Sequence, residues 1–146
     1  MFGFLFGKKS KKTKEEESAK RVQEAVSVPE DYKFHLTVYS GGKETYAFDP
    51  SAEDINRAAE VLRRSCENFV LIQGASPVKN IVFLQASDFD ISDGCAYVQA
   101  QYSEEDEDEG HNYGKKVKLS EVSDIFCAYT EGRVPDLSDW EHIADF

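Results

Sequence analysis

Cys95-Ala96-Tyr97-Val98-Gln99-Ala100-Gln101-Tyr102 decides the fold class. Tyr97, Gln99 and Gln101 alternate with Ala96, Val98, Ala100 and Tyr102. A period of two is the signature of a strand with two unlike faces. The run Glu104-Glu105-Asp106-Glu107-Asp108-Glu109 follows at once and ends in Gly110-His111-Asn112-Tyr113-Gly114. Lys115 to Leu119 then reads as a last strand, antiparallel to its predecessor. The acidic run therefore falls at a hairpin tip.

The same logic extends upstream. Phe34, Leu36 and Val38 share one face of a strand over Lys33 to Tyr39. Ser40-Gly41-Gly42-Lys43 supplies turn chemistry, and Glu44 to Phe48 is the return strand. Phe69 to Gln73 is a short apolar strand, and Asn80 to Ala86 carries Ile81, Val82, Phe83 and Leu84, as if buried on both faces. Ser87 to Gly94 is a turn-rich connection.

Two helices complete the pattern. Ser51 can cap the first, with Asp54 three residues on beside the positive end of the dipole. Ile55, Ala58, Ala59, Leu62 and Cys66 form its apolar stripe, while Arg57, Arg63 and Arg64 lie off it. The second starts at Ser120 and buries Val122, Ile125, Phe126 and Tyr129. Gly132 is its expected C-terminal cap, and Pro135 prevents continuation. In the tail, Trp140 is expected to pack under the sheet edge or against this helix. The expected fold is α+β: a largely antiparallel sheet of about six strands, order ββ-α-ββββ-α, with both helices on one face.

Charge divides the chain. Residues 1–28 read as a flexible arm, and residues 29–146 as a single domain. The arm opens with Phe2, Phe4, Leu5 and Phe6, followed by Lys8, Lys9, Lys11 and Lys12. Met1 to Arg21 holds seven basic and three acidic residues. The chain carries a net charge of -11, so the remainder stands at -15. A body so acidic repels phosphates, which argues against direct nucleic-acid binding, and it attracts basic proteins. The arm offers an alternative: weak contact with an anionic membrane, aromatics dipping in while lysines meet headgroups. No run of apolar residues is long enough to span a bilayer, and the start lacks the order of a secretory signal, so a cytoplasmic location is expected.

Chemistry is sparse. GxSxG, HExxH, P-loop, GxGxxG and calcium-loop patterns are absent from the sequence. Cys66, Cys95 and Cys127 are scattered and read as buried free thiols. His35, His111 and His142 are far apart, so no metal site and no cofactor are expected. Carboxylates in an unbroken run repel one another in solvent and do not make an acid-base pair. A binding protein is expected rather than an enzyme.

The strand Lys116-Val117-Lys118-Leu119 leads into a helix that ends Phe126-Cys127-Ala128-Tyr129-Thr130-Glu131-Gly132, then Arg133-Val134-Pro135-Asp136 and Trp140. This order resembles small bacterial immunity proteins of polymorphic-toxin and contact-dependent systems, closest to the group paired with nucleic-acid deaminase toxins. The resemblance covers about residues 32 to 141 and makes Gly132, Pro135 and Trp140 its structural marks. It implies a cytoplasmic protein that occludes the basic cleft of a cognate toxin, and the N-terminal arm would let such a protein wait at the inner face of the membrane. On that implication Glu104, Glu105, Asp106, Glu107, Asp108 and Glu109 supply the charge, and Tyr97, Tyr102 and Tyr113 the aromatic anchors. The long N-terminal arm and the length of the acidic run depart from that pattern.

Overall fold

The computed structural model describes residues 28–29, 31–90, 94–104 and 109–145. Contacts divide the chain into Met1–Glu30 and Asp31–Phe146, and the fold below is that of the second unit. It runs β1 (Phe34–Ser40), β2 (Lys43–Phe48), α1 (Ala52–Glu60), β3 (Phe69–Val78), β4 (Ile81–Asp90), β5 (Cys95–Ser103), β6 (Gly110–Lys118), α2 (Leu119–Thr130) and β7 (Glu141–Asp145). Short 3-10 turns follow α1 at Val61–Arg63 and precede β7 at Leu137–Asp139. The strands form one sheet in the order β2-β1-β3-β4-β5-β6-β7. Every pairing is antiparallel.

Register explains the core. Leu36, Ile72, Leu84 and Ala100 lie in one row across four strands, and Val38, Val70, Ala86 and Val98 in the next. Both rows face the helices, and Ile55, Ala58, Ala59, Leu62, Val122, Phe126 and Tyr129 close over them. Small residues on β5 (Ala96, Val98, Ala100) leave room for the large side chains of α2. Each large side chain so buried contributes about 1.5 to 3 kcal/mol of transfer free energy.

Local signals set the helix ends. Asp54 N–H donates to Ser51 Oγ at 3.1 Å, and Ser51 N–H donates back to Asp54 Oδ2 at 3.0 Å, a reciprocal cap. The helix at the other end of the chain starts one residue earlier than expected, because Glu121 Oε1 accepts the Lys118 N–H at 2.9 Å. Gly132 has φ +86°, with its N–H on the Tyr129 carbonyl (3.0 Å) and the Arg133 N–H on Ala128 (2.9 Å). That pair of bonds ties off the last carbonyls of α2. The chain then passes Pro135 and buries Trp140 in a groove shared with Val117 and Ile125.

Several expectations need correction. The sheet has seven strands, not about six, because the polar segment Glu141–Asp145 adds β7 at the edge. β6 begins at Gly110, five residues before Lys115. Gly110 and Gly114 read as turn residues but serve packing: a Cβ on Gly114 would overlap the Tyr97 hydroxyl, and one on Gly110 would lie 2.7 Å from Gln101 Nε2. β4 is covered on one face only, with Phe83 and Gln85 half-buried on the other. Cys66 is exposed, since helical structure stops at Arg63 and the apolar stripe ends with it; Cys95 and Cys127 are half-buried.

β3 also runs further than expected, through Val78, past an irregularity between Gln73 and Val78 that accommodates Pro77. A Cβ on Gly74 would overlap the carbonyl oxygen of Ser76, a backbone atom that cannot rotate away. Gly74→Ala is therefore expected to cost about 1 to 3 kcal/mol, seen as a lower urea midpoint at unchanged slope. An unchanged midpoint would mean that the bulge relaxes freely around a methyl.

Candidate functional site

The acidic run connects the adjacent strands β5 and β6, whose last pair is Ser103 with Gly110. Its described ends, Glu104 and Glu109, are exposed; residues 105–108, namely Glu105, Asp106, Glu107 and Asp108, lie outside the described residues. Both strand ends are held firmly. Ser103 N–H donates to the Asn80 carbonyl at 2.9 Å, and the Tyr102 hydroxyl donates to Glu104 Oε1 at 2.8 Å. Asn80 Nδ2 in turn donates to the Tyr102 oxygen at 3.4 Å. The C-terminus of α2 points to this same end, because the Tyr129 hydroxyl reaches the Ile81 and Val82 carbonyls at 2.9 and 3.1 Å. Its dipole adds partial negative charge there.

The three expected anchors separate. Tyr102 sits beside the acidic run on the helix-facing side of the sheet, half-buried against the core. Tyr113 shares that side in the row of Ala100 and packs on the His142 ring at 5.3 Å between centroids. Tyr97 is on the opposite face, paired with Lys116, about 20 Å down the strand from Ser103 at the usual rise. Burial, then the Glu141 carboxylate, raises its phenol above the usual range. Tyr97 and the acidic run therefore cannot belong to one small contact patch.

The sheet face without helices was legible only in the alternation of β1 and β5. Across the strands it carries His35, Gln73, Phe83, Gln101 and Asn112 in one row, and Thr37, Leu71, Gln85, Gln99 and Gly114 in the next. Tyr39 stacks on Phe69 with centroids 5.1 Å apart and planes 7° from parallel. Tyr32 meets both His35 and Phe48 edge-on, at 5.8 and 5.2 Å. Burial lowers the His35 pKa, so its ring is neutral at neutral pH. Aromatic and amide side chains in such rows suit contact with a partner's polar backbone and apolar side chains.

A second cluster was hidden by sequence distance. His111 Nδ1 and His142 Nε2 both lie 2.6 Å from Asp145 Oδ1. His111 pairs directly with Asp145 across β6 and β7, and Tyr113 pairs with His142. His142 and Asp145 are three apart, an odd spacing that would place them on opposite faces of a regular strand. The irregularity between Asn112 and Tyr113 inserts the extra residue that restores both to one face. Hydrogen bonds from His111 and then His142 hold the Asp145 carboxyl below the usual carboxylate range. These three side chains could hold a metal ion.

The membrane-contact residues Phe2, Phe4, Leu5, Phe6, Lys8, Lys9, Lys11 and Lys12 lie outside the described residues. Among the described residues no helix is long and apolar enough to cross a membrane. No protein-family model matches the chain, and neither a curated protein nor a solved structure is similar enough to match it.

Proposed function

We propose that this protein is a binding protein that engages a basic protein domain through its acidic end and blocks that domain by occupying it. The mode is that of an immunity protein against a nucleic-acid-targeting toxin, whose cleft would be basic. The single observation that carries the reading is where the charge stands. Glu104 and Glu109 are exposed at the ends of two adjacent, hydrogen-bonded strands, so the acidic run between them is presented from a rigid base. The C-terminal end of α2 adds to the same potential. A field of one sign at one end steers a basic partner into register before contact.

Tyr102 and Glu104 form the edge of that surface, and Tyr102 is the aromatic residue placed to anchor it. The test is capture of a basic toxin domain from the native host, followed by titration of its affinity against salt. Tight binding at low salt that weakens with salt supports the reading. A partner whose affinity ignores both salt and the charges at 104–109 would overturn it.

A further inference from the structure

We propose that His111, His142 and Asp145 form a binding site for one divalent transition-metal ion of the zinc class. The proposal is independent of the partner-binding reading. Three observations converge on it. The candidate ligand atoms, one from each residue, all lie within 4.8 Å of one another. They come from two paired strands, whose separation is set by the sheet rather than by flexible chain. The irregularity in the β6–β7 ladder is what turns His142 and Asp145 to the same side, and without it the set would not assemble.

The donor chemistry selects the ion. Two imidazoles and one carboxylate suit zinc, nickel, cobalt or copper; calcium and magnesium take mainly oxygen. Each histidine nitrogen now stands at hydrogen-bond distance, 2.6 Å, from one carboxylate oxygen. Tetrahedral zinc at about 2.0 to 2.1 Å from its ligands spaces them about 3.3 Å apart. Each nitrogen must therefore withdraw from the oxygen by about 0.7 Å, and ligand atoms that now stand as much as 4.8 Å apart must close to the same spacing, movements within reach of side-chain torsions. The metal takes the place of the hydrogen bonds that now join each ring nitrogen to the carboxylate, and each ring then carries its proton on the other nitrogen. Tyr113, packed on the His142 ring, limits its rotation. His142 and Asp145 are exposed, which leaves a coordination position open to water or to a partner's side chain.

The test uses the full chain, stripped with a chelator and titrated with Co2+ followed by Zn2+. One equivalent of Co2+ with visible d–d bands, displaced by Zn2+, is expected. His142→Ala and Asp145→Asn should each weaken binding by more than about a hundredfold, beyond the loss typical of outer-shell changes. His142→Gln, which keeps a polar side chain on the edge strand, should do the same if His142→Ala fails to fold. Zn2+ should raise the melting temperature of the wild type and leave the ligand variants unmoved. Glu104→Gln with Glu109→Gln should leave the stoichiometry unchanged. No binding by the wild type, or equal binding by the folded ligand variants, overturns the site and assigns any residual uptake to surface carboxylates.

Discussion

Tyr129→Ala is expected to remove about 3 to 5 kcal/mol of stability, the cost of deleting a large aromatic side chain from a close-packed core. Tyr129 is fully buried, and it joins three parts of the fold. Its ring meets Phe34 of β1 edge-on with centroids 5.5 Å apart. Its hydroxyl donates to the Ile81 and Val82 carbonyls at the start of β4. The β4–β5 ladder is irregular there, between Ile81 and Phe83, so the hydroxyl fastens α2 to β4 where that ladder shifts register. A domain of this size holds about 5 to 15 kcal/mol in all, so the loss should lower the melting temperature by on the order of 10 to 20 °C. A drop of only a degree or two would mean that α2 is not clamped to the sheet through this residue.

Tyr129→Phe separates the hydroxyl from the ring. It should cost about 1 to 2 kcal/mol, because the ring stays while the hydroxyl's hydrogen bonds to the Ile81 and Val82 carbonyls are lost. The phenol also makes stability depend on alkali. Burial pushes its pKa from 10.0 up to about 12. A raised phenol contributes stability that is complete below the unfolded value and disappears as pH climbs through the folded one. Between pH 10 and about 12 the wild type should thus lose about 2 to 3 kcal/mol that the Tyr129→Phe protein does not. Parallel alkaline unfolding curves for the two proteins would refute that assignment.

The second large effect concerns association. Replacing Glu104, Glu105, Asp106, Glu107, Asp108 and Glu109 by their amides should slow binding of the basic partner by about a hundredfold or more at low salt, the usual gap between steered and unsteered encounters. The gap should close toward 1 M salt, where the Debye length falls to about 3 Å. Folding stability should hardly change or should rise slightly, since like charges repel within the run. Stopped-flow association measured across a salt series reads both effects. Equal rates for the two proteins at low salt would sink the acidic-end mechanism and leave the fold untouched.

Much of the fold follows from period and punctuation. The alternation in β5, the two apolar helix stripes as far as Leu62 and Tyr129, the Ser51 cap and the Gly132 stop are local features, and each appears in the structure where its residues place it. The misreadings share one cause. Gly110 and Gly114 carry the letters of a turn, yet their lack of a side chain makes space for Gln101 and Tyr97 from the next strand. β7 has no apolar run to announce it, because an edge strand buries little and its hydrogen bonds come from the backbone of β6. Pro77 marks a break that the irregularity at the end of β3 absorbs.

The sites divide along the same line. The acidic run is contiguous, so its charge and its hairpin position could be read directly from the chain. The His111–His142–Asp145 cluster could not, because it depends on the pairing of β6 with a strand invisible in the sequence and on a register shift within that pairing. Tyr97 and Tyr102 stand in one strand, where their alternation already put them on opposite faces, and the length of β5 also sends them to opposite ends. What the sequence determined by itself was the set of local elements, their caps and the net charge of each segment, all of which depend on residues within a few positions of one another. Tertiary structure alone decided which distant side chains share a face and meet within bonding distance, because cross-strand register is set by packing and hydrogen bonding between segments far apart along the chain.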